Sequence, residues 1–215
     1  FRDPHFFDTD YSLLLNAYKT DTNYTDFKRK SMGGKVGLGY QFTKFTTGSL
    51  SYRMDETLIT DAGTAVSQIL KDEFSKGTQK THSLGVSVTR NTTDKYFDPS
   101  RGTVQSGTVE YAGGPFGGDS DFVKYFLNAK AYYTVFAPSV LSWNILWGHT
   151  VTTVGGRVPI FERYFLGGPY SIRGFKSRSV SPKDINTGEL IGGNKELFMN
   201  VEYIVPLFNE FGFKA

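Results

Sequence analysis

Residues Phe122–Phe136 read FVKYFLNAKAYYTVF. Tyr125, Leu127, Ala129, Ala131, Tyr133 and Val135 occupy one set of alternate positions. Lys124, Asn128, Lys130 and Thr134 occupy the other. A period of two puts successive side chains on opposite faces of a strand. This strand is apolar on one face and polar on the other.

The same alternation extends both ways along the chain. Downstream, after Ala137-Pro138, Leu141, Trp143, Ile145 and Trp147 oppose Ser142, Asn144 and Gly148. Further on, Leu197, Met199, Val201, Tyr203 and Val205 oppose Asn200 and Glu202, before a turn at Pro206–Glu210 and a strand beginning at Gly212. Upstream, a less regular strand reaches Tyr111 after the turn Phe97-Asp98-Pro99-Ser100-Arg101-Gly102. Before it, Leu84, Val86 and Val88 face away from Ser83, Gly85, Ser87 and Thr89. Leu50, Tyr52 and Met54 face away from Ser49, Ser51 and Arg53. Val36, Leu38, Tyr40 and Phe42 oppose Lys35, Gly37, Gly39 and Gln41. Tyr11, Leu13, Leu15 and Ala17 oppose Ser12, Leu14 and Asn16, with Leu14 a defect in the polar face.

The connections alternate in length. Thr43–Thr46, Tyr96–Gly102, Ala137–Val140 and Pro206–Glu210 are short; Asp21–Lys30, Thr60–Lys80, Gly113–Asp121 and Val151–Glu196 are longer. Short turns at one end of a meander and long loops at the other are the pattern of an outer-membrane barrel. A soluble one-sided sheet would also alternate, but its apolar face needs a second layer. The sequence offers only one short helix, read over Thr64–Phe74 from the spacing of Ala65, Ile69, Leu70 and Phe74, with Thr64 as N-cap. Lipid covers the apolar face instead.

Composition agrees. Of 215 residues 16% are aromatic, and 24 are glycine, which suits strands better than helices. The net charge of +3 is small and its lysines and arginines are scattered, against a nucleic-acid partner. There is no cysteine, hence no disulfide or thiolate chemistry. No apolar run approaches the roughly 18–20 residues of a membrane helix, which leaves a barrel open. The first residue is Phe1 and no signal peptide precedes it, so a mature or partial chain is expected.

The longest loop carries Tyr164–Phe175, YFLGGPYSIRGF. Gly167, Gly168 and Pro169 exclude an ordinary helix or central strand. Its bulky apolar residues argue that it packs, and an arginine among them requires an anionic partner if buried. This motif, Phe165-x-Gly167-Gly168-x-x-Ser171-Ile172-Arg173-Gly174-Phe175, resembles the arginine-glycine-phenylalanine motif of the BamA family of outer-membrane assembly and translocation barrels. Phe1-Arg2-Asp3-Pro4, Phe97–Gly102, Gly117-Gly118-Asp119 with Phe122 and Lys124, and Gly193-Asn194 with Leu197, Asn200, Glu202 and Tyr203 resemble further family motifs, in order, over nearly all of the chain.

The resemblance implies an all-β fold: an antiparallel transmembrane β-barrel fragment, about eight to nine strands of sixteen, with the long loop folded into the lumen. Residues 1–215 would form one partial barrel domain, without the periplasmic POTRA domains or the first and last strands that form the lateral gate. It implies a bacterial outer-membrane assembly factor that folds and inserts β-barrel proteins, with unfolded outer-membrane clients, accessory lipoproteins and membrane lipid as partners. The alternative is a two-partner-secretion barrel passing one polypeptide through its lumen; a passive porin is disfavoured because the loop would block it.

The expected site is structural rather than catalytic. Gly167, Gly168 and Gly174 supply unusual backbone angles or close approach. Ile172 and Phe175 belong to the motif, and Phe175 is expected to pack. By resemblance Arg173 bridges from the loop tip to the barrel wall. Glu202 shares the inward face of its strand with Asn200 and is the expected partner, bound by the guanidinium fork as a buried pair. No cofactor or metal is expected: His5, His82 and His149 are dispersed. Gly113–Asp119 is not a phosphate loop, and no nucleophile elbow or paired-acid set supports an enzyme. Trp143 and Trp147 either mark an interface girdle or pack at mid-bilayer.

Overall fold

The computed structural model describes residues 1–24, 27–61, 67–208 and 213–214. Nine strands form one antiparallel sheet in chain order. They are β1 (Arg2–Asp3), β2 (Tyr11–Asn23), β3 (Phe27–Thr43), β4 (Thr46–Asp61), β5 (Thr78–Asn91), β6 (Gly102–Ala112), β7 (Phe122–Thr134), β8 (Val140–Thr152) and β9 (Lys195–Ile204). A separate hairpin pairs β10 (Pro206–Phe208) with β11 (Phe213–Lys214).

Register carries the alternation from strand to strand. Glu110 pairs with Lys124, Lys124 with Thr150, and Lys35 with Arg53, so the polar positions share one concave face. The opposite face bears Val36, Leu38, Leu50, Val86, Leu127, Trp143, Met199 and Val201, all exposed. Two side chains show that the sheet curls: Arg53 on β4 and Lys124 on β7 reach the same carboxylate, Glu162. A wall with an apolar outside and a polar inside is the barrel expected, with Lys124 and Lys130 turned inward.

Strand length is where the sequence reading falls short. Asp21–Lys30 is not a loop: β2 continues to Asn23 and β3 begins at Phe27, pairing Asp21 with Lys30. Likewise β4 runs to Asp61 and β5 starts at Thr78. At up to 17 residues, these strands exceed the roughly 9–11 that cross a bilayer. Their outer ends are polar because they stand in water while still hydrogen-bonded as a sheet.

A helix forms here, but it starts later than expected, as α1 (Gln68–Ser75): its N-cap is Ser67 rather than Thr64, and the Ser67 hydroxyl accepts from the Leu70 amide. Thr64 and Ala65 lie outside the described residues. Leu70 and Phe74 pack with Phe27, Ile59, Ile160, Phe161 and Phe165. Helix, wall and long loop thus share one small apolar cluster at the loop end of the sheet.

The outward face should be intolerant of charge. Leu127→Arg, near the middle of β7, is expected to cost about 2–4 kcal/mol in denaturant unfolding from bilayers. Ser106→Arg, facing the lumen, should change stability by no more than about 0.5 kcal/mol. Equal costs would contradict the assigned faces.

Candidate functional site

The long connection, residues 153–194, folds back on the concave face. It is held together by backbone pairs: Tyr164 with Gly193 at 2.8 and 2.9 Å, and Leu166 with Val180 at 2.8 and 2.9 Å. Gly148 lets the loop approach the wall, since a Cβ there would lie 2.8 Å from the Tyr164 ring. The Tyr164 hydroxyl accepts from Thr150 Oγ1 at 3.2 Å, and Lys124 Nζ sits 5.2 Å from its ring centroid. Arg178 is stacked between Phe165 and Tyr24, at 3.8 and 4.3 Å from their centroids.

The loop's root carries Glu162, in a short 3-10 turn at Ile160–Glu162. It is 5% exposed. Its Oε1 accepts from Arg53 Nη1 and Nη2 at 3.2 and 3.1 Å, and its Oε2 from Lys124 Nζ at 2.9 Å. Arg53 also donates to Glu110 Oε1 through Nε and Nη2, at 2.9 and 2.5 Å, and to Asp55. Tyr18 donates to Asp55, and Ser83 to Glu110 at 2.6 Å. Two cations and three carboxylates are thereby interlocked across β4, β6, β7 and the loop. Burial alone would raise the Glu162 pKa, but the charges of Lys124 and Arg53 outweigh it and hold the carboxyl below its ordinary range.

The motif lies farther along. Gly167, Gly168 and Gly174 all have positive φ, at 106°, 101° and 85°. At Gly167 a Cβ would also lie 2.4 Å from the Lys176 carbonyl, so only glycine fits. The turn closes through Ser171, whose Oγ accepts from the Gly167 amide at 2.8 Å. Ile172 is half-buried. Arg173 Nη2 pairs with Glu202 Oε1, and Asn200 Nδ2 donates to the Ser171 carbonyl at 3.1 Å. Both wall partners come from β9. A cavity of about 590 Å³ beneath the tip is bordered by Lys130, Tyr132, Asn144, Asn200 and Glu202.

Two expectations are corrected. Against these nine strands the Arg173–Glu202 side chains are 63% and 35% exposed, and one nitrogen rather than a fork makes the contact. Phe175 does not pack on this part of the wall, where it is 57% exposed; the loop's apolar anchorage to it lies at Ile160, Phe161 and Phe165. The buried charge cluster was missed. Arg53 and Lys124 were readable as inward charges from their parity, and Glu110 falls opposite Lys124 once register is known. Nothing in the loop's pattern distinguishes Glu162.

The cluster should hold the root more firmly than the exposed pair holds the tip. Glu162→Gln is expected to cost about 3–5 kcal/mol, as for one broken partner of a buried pair. Arg173→Ala should cost about 0–1 kcal/mol. Because the Glu162 pKa is depressed in the folded state, its contribution is complete above the ordinary glutamate value of about 4.3 and is lost only as pH falls further. Amide exchange at residues 160–166, corrected for intrinsic rates, should therefore stay protected from neutral pH down to about 4.3. Loss of protection near pH 6 would contradict this assignment.

Residues 1–215 match the Omp85 superfamily domain. The chain is 33% identical over 204 residues to the outer membrane protein assembly factor BamA of Nitratidesulfovibrio vulgaris, covering 95% of this chain and 26% of that protein. It is 36% identical over 110 residues to the sorting and assembly machinery component 50 homolog B of Xenopus laevis, covering 51% of this chain and 23% of that protein. The chain therefore spans about a quarter of the length of these relatives. In fold it is similar to BamA from Haemophilus ducreyi lacking POTRA domains 1–3, with a TM-score of 0.82 and 20% identity over 95% of this chain and 44% of that one. A full-length family match, a nine-stranded barrel wall and a lumenal loop bearing Arg173 agree: the chain belongs to the Omp85 superfamily.

Proposed function

We propose that this chain is the back wall and lumenal loop of an outer-membrane assembly factor that folds and inserts β-barrel proteins. The observation carrying this reading is the loop itself, folded onto the concave wall with Arg173 on Glu202. The names of its relatives support assembly over the secretion alternative: the BamA proteins and the sorting and assembly machinery components are both named for assembly.

The action is non-enzymatic. An incoming hairpin in hydrocarbon must satisfy every backbone N–H and C=O, and a strand edge supplies those partners. Strands β3–β8 are paired on both sides, so these strands offer no such edge. Its contribution is a stiff wall that holds the loop, while the gate strands belong to other parts of a larger barrel. Unfolded outer-membrane proteins are the clients. Accessory lipoproteins and periplasmic POTRA domains would complete the machine in the bacterial outer membrane.

In this reading Gly167, Gly168 and Gly174 shape the tip, Ile172 braces it, and Arg173 latches it to Glu202. The reading is tested by replacing the resident protein with variants in a depletion strain and measuring folded outer-membrane barrels by heat-modifiable migration. Arg173→Ala and Glu202→Ala should each lower the folded fraction. Arg173→Lys should not restore it, lacking the planar guanidinium. The double exchange, Arg173→Glu with Glu202→Arg, should restore it partly. Normal barrel assembly with loss of a single secreted passenger would instead favour the secretion barrel.

A further inference from the structure

We propose that Arg178 of the long loop and Arg29 of β3 together bind a carboxylate side chain of the barrel strand adjoining β2, fastening the loop to a second stretch of wall. This rests on the barrel closing beside β2 and is independent of the assembly reading.

The two arginines are held by rings from the loop and the wall. The Arg178 guanidinium lies between Phe165 on the loop and Tyr24 at the end of β2, 3.8 and 4.3 Å from their centroids. Arg29 lies 5.6 Å from the Phe161 ring centroid, and its Nε donates to Ser31 Oγ at 2.9 Å. Strand parity puts Arg29 on the lumenal face with Phe27 and Ser31, both buried. Arg178 has a φ of 62°. That left-handed conformation is unfavourable for a residue with a side chain, and such residues gather at ligand clamps.

Neither arginine has a carboxylate among the described residues. Arg163, on the same loop, directs its guanidinium to the Val158 and Ile191 carbonyls, whereas Arg178 donates to no described residue. The buried carboxylates are all engaged elsewhere. Asp55 is held by Tyr18 and Arg53, and Glu162 by Arg53 and Lys124. Glu73 is held by Lys76 and Gln79, and Glu189 by the Ser67 amide and Thr187. Burial pushes the Arg178 pKa down; Tyr24 opposes that shift, and the nearby Arg29 charge adds to it. Two like charges in a partly dehydrated site repel each other unless an anion lies between them.

Shape selects the anion, and position selects its source. Rings on both faces leave only the edge of the Arg178 guanidinium open, and that planar edge matches the two oxygens of a carboxylate. The site stands at the margin of the sheet. Strand β2 pairs with β1 only at Leu13 and Leu14, so among the described residues no strand lies beside Asn16–Asn23. A barrel in lipid has no open edge. A strand in that place turns alternate side chains into the lumen, level with Thr22 and Tyr24. An acidic residue among them reaches Arg178 from the side opposite the loop.

The test is a double-mutant cycle in the intact barrel in nanodiscs, with exchange of the Val180 amide as readout. That amide donates to the Leu166 carbonyl at 2.9 Å, two residues from Arg178. Arg178→Gln should speed its exchange about tenfold, the loss of one hydrogen-bonded charge. Each Asp and Glu of the strand adjoining β2 is then changed to Asn or Gln, alone and together with Arg178→Gln. At one position the single change should speed exchange equally, and the pair should exchange no faster than either alone. Additive effects at every position would overturn the wall carboxylate. Arg29→Gln separates a filled site from an empty one by sign. With a carboxylate between the arginines its loss speeds exchange; slower exchange, from relieved repulsion, would overturn the site. Slower exchange of the unmutated loop on adding inorganic phosphate would mean an empty clamp taking a free anion, and would also overturn the proposal. Heat-modifiable migration establishes that each variant is folded; if Arg178→Gln is not, Arg178→Lys, which keeps the charge but lacks the planar edge, reads the same cycle.

Discussion

Glu162 is a carboxylate almost without water, and the arrangement of the concave face depends on how its charge is met. Arg53 and Lys124 approach it from strands β4 and β7, which are separated by two others in the sheet. Meeting at one point requires the sheet to curl by a set amount. The same arginine is shared with Glu110 and Asp55, so no cation is left over and no carboxylate is left bare. Among the described residues no buried side-chain nitrogen or oxygen lacks a partner. Such a cluster adds little net stability compared with apolar packing, but losing one member is costly. Its effect is to fix where the loop begins.

From that root the remainder of the loop follows. The neighbouring Ile160 is fully buried with Leu70, Phe27 and Ile59, so charge and apolar packing anchor adjacent residues. Tyr164 then lies on Gly148, and the tip turns through Gly167 and Gly168 to bring Arg173 onto β9. The attachments weaken along the way, from a buried five-membered cluster to one exposed ion pair. A loop built this way can release its tip without losing its position. On the outside, lipid supplies the covering that a second protein layer would supply in a soluble sheet, and inter-strand hydrogen bonds satisfy the backbone of β3–β8 on both sides.

Much of this was legible in the sequence. Period-two alternation around Leu127, Trp143, Met199 and Leu50 identifies the strands and assigns their faces, because in lipid a one-residue slip would expose every polar side chain. The parity of Glu202 placed it on the inward face of β9, and the family resemblance supplied the bridge from Arg173 to the wall. Strand ends were less legible: outside the bilayer Lys28 and Lys30 no longer need to alternate with apolar residues, so a strand in water looks like a loop. Phe175 was misjudged because aromatic character does not say whether a cavity awaits it. Glu162 was invisible because its partners lie 109 and 38 residues away, and only the curl of the sheet brings them together.

The central claim is that the loop lies folded against the inner wall. It is tested most directly by the distance between two spin labels in the intact barrel in native outer membrane, one replacing Tyr170 at the exposed tip and one replacing Ile204 on β9. Pulsed dipolar spectroscopy should give a narrow distribution centred near the separation of those sites in this structure. The same distribution in Arg173→Ala should broaden while keeping that short component, since the root still holds. A single long, broad distribution in the unmutated loop would place the tip outside the barrel and contradict the account.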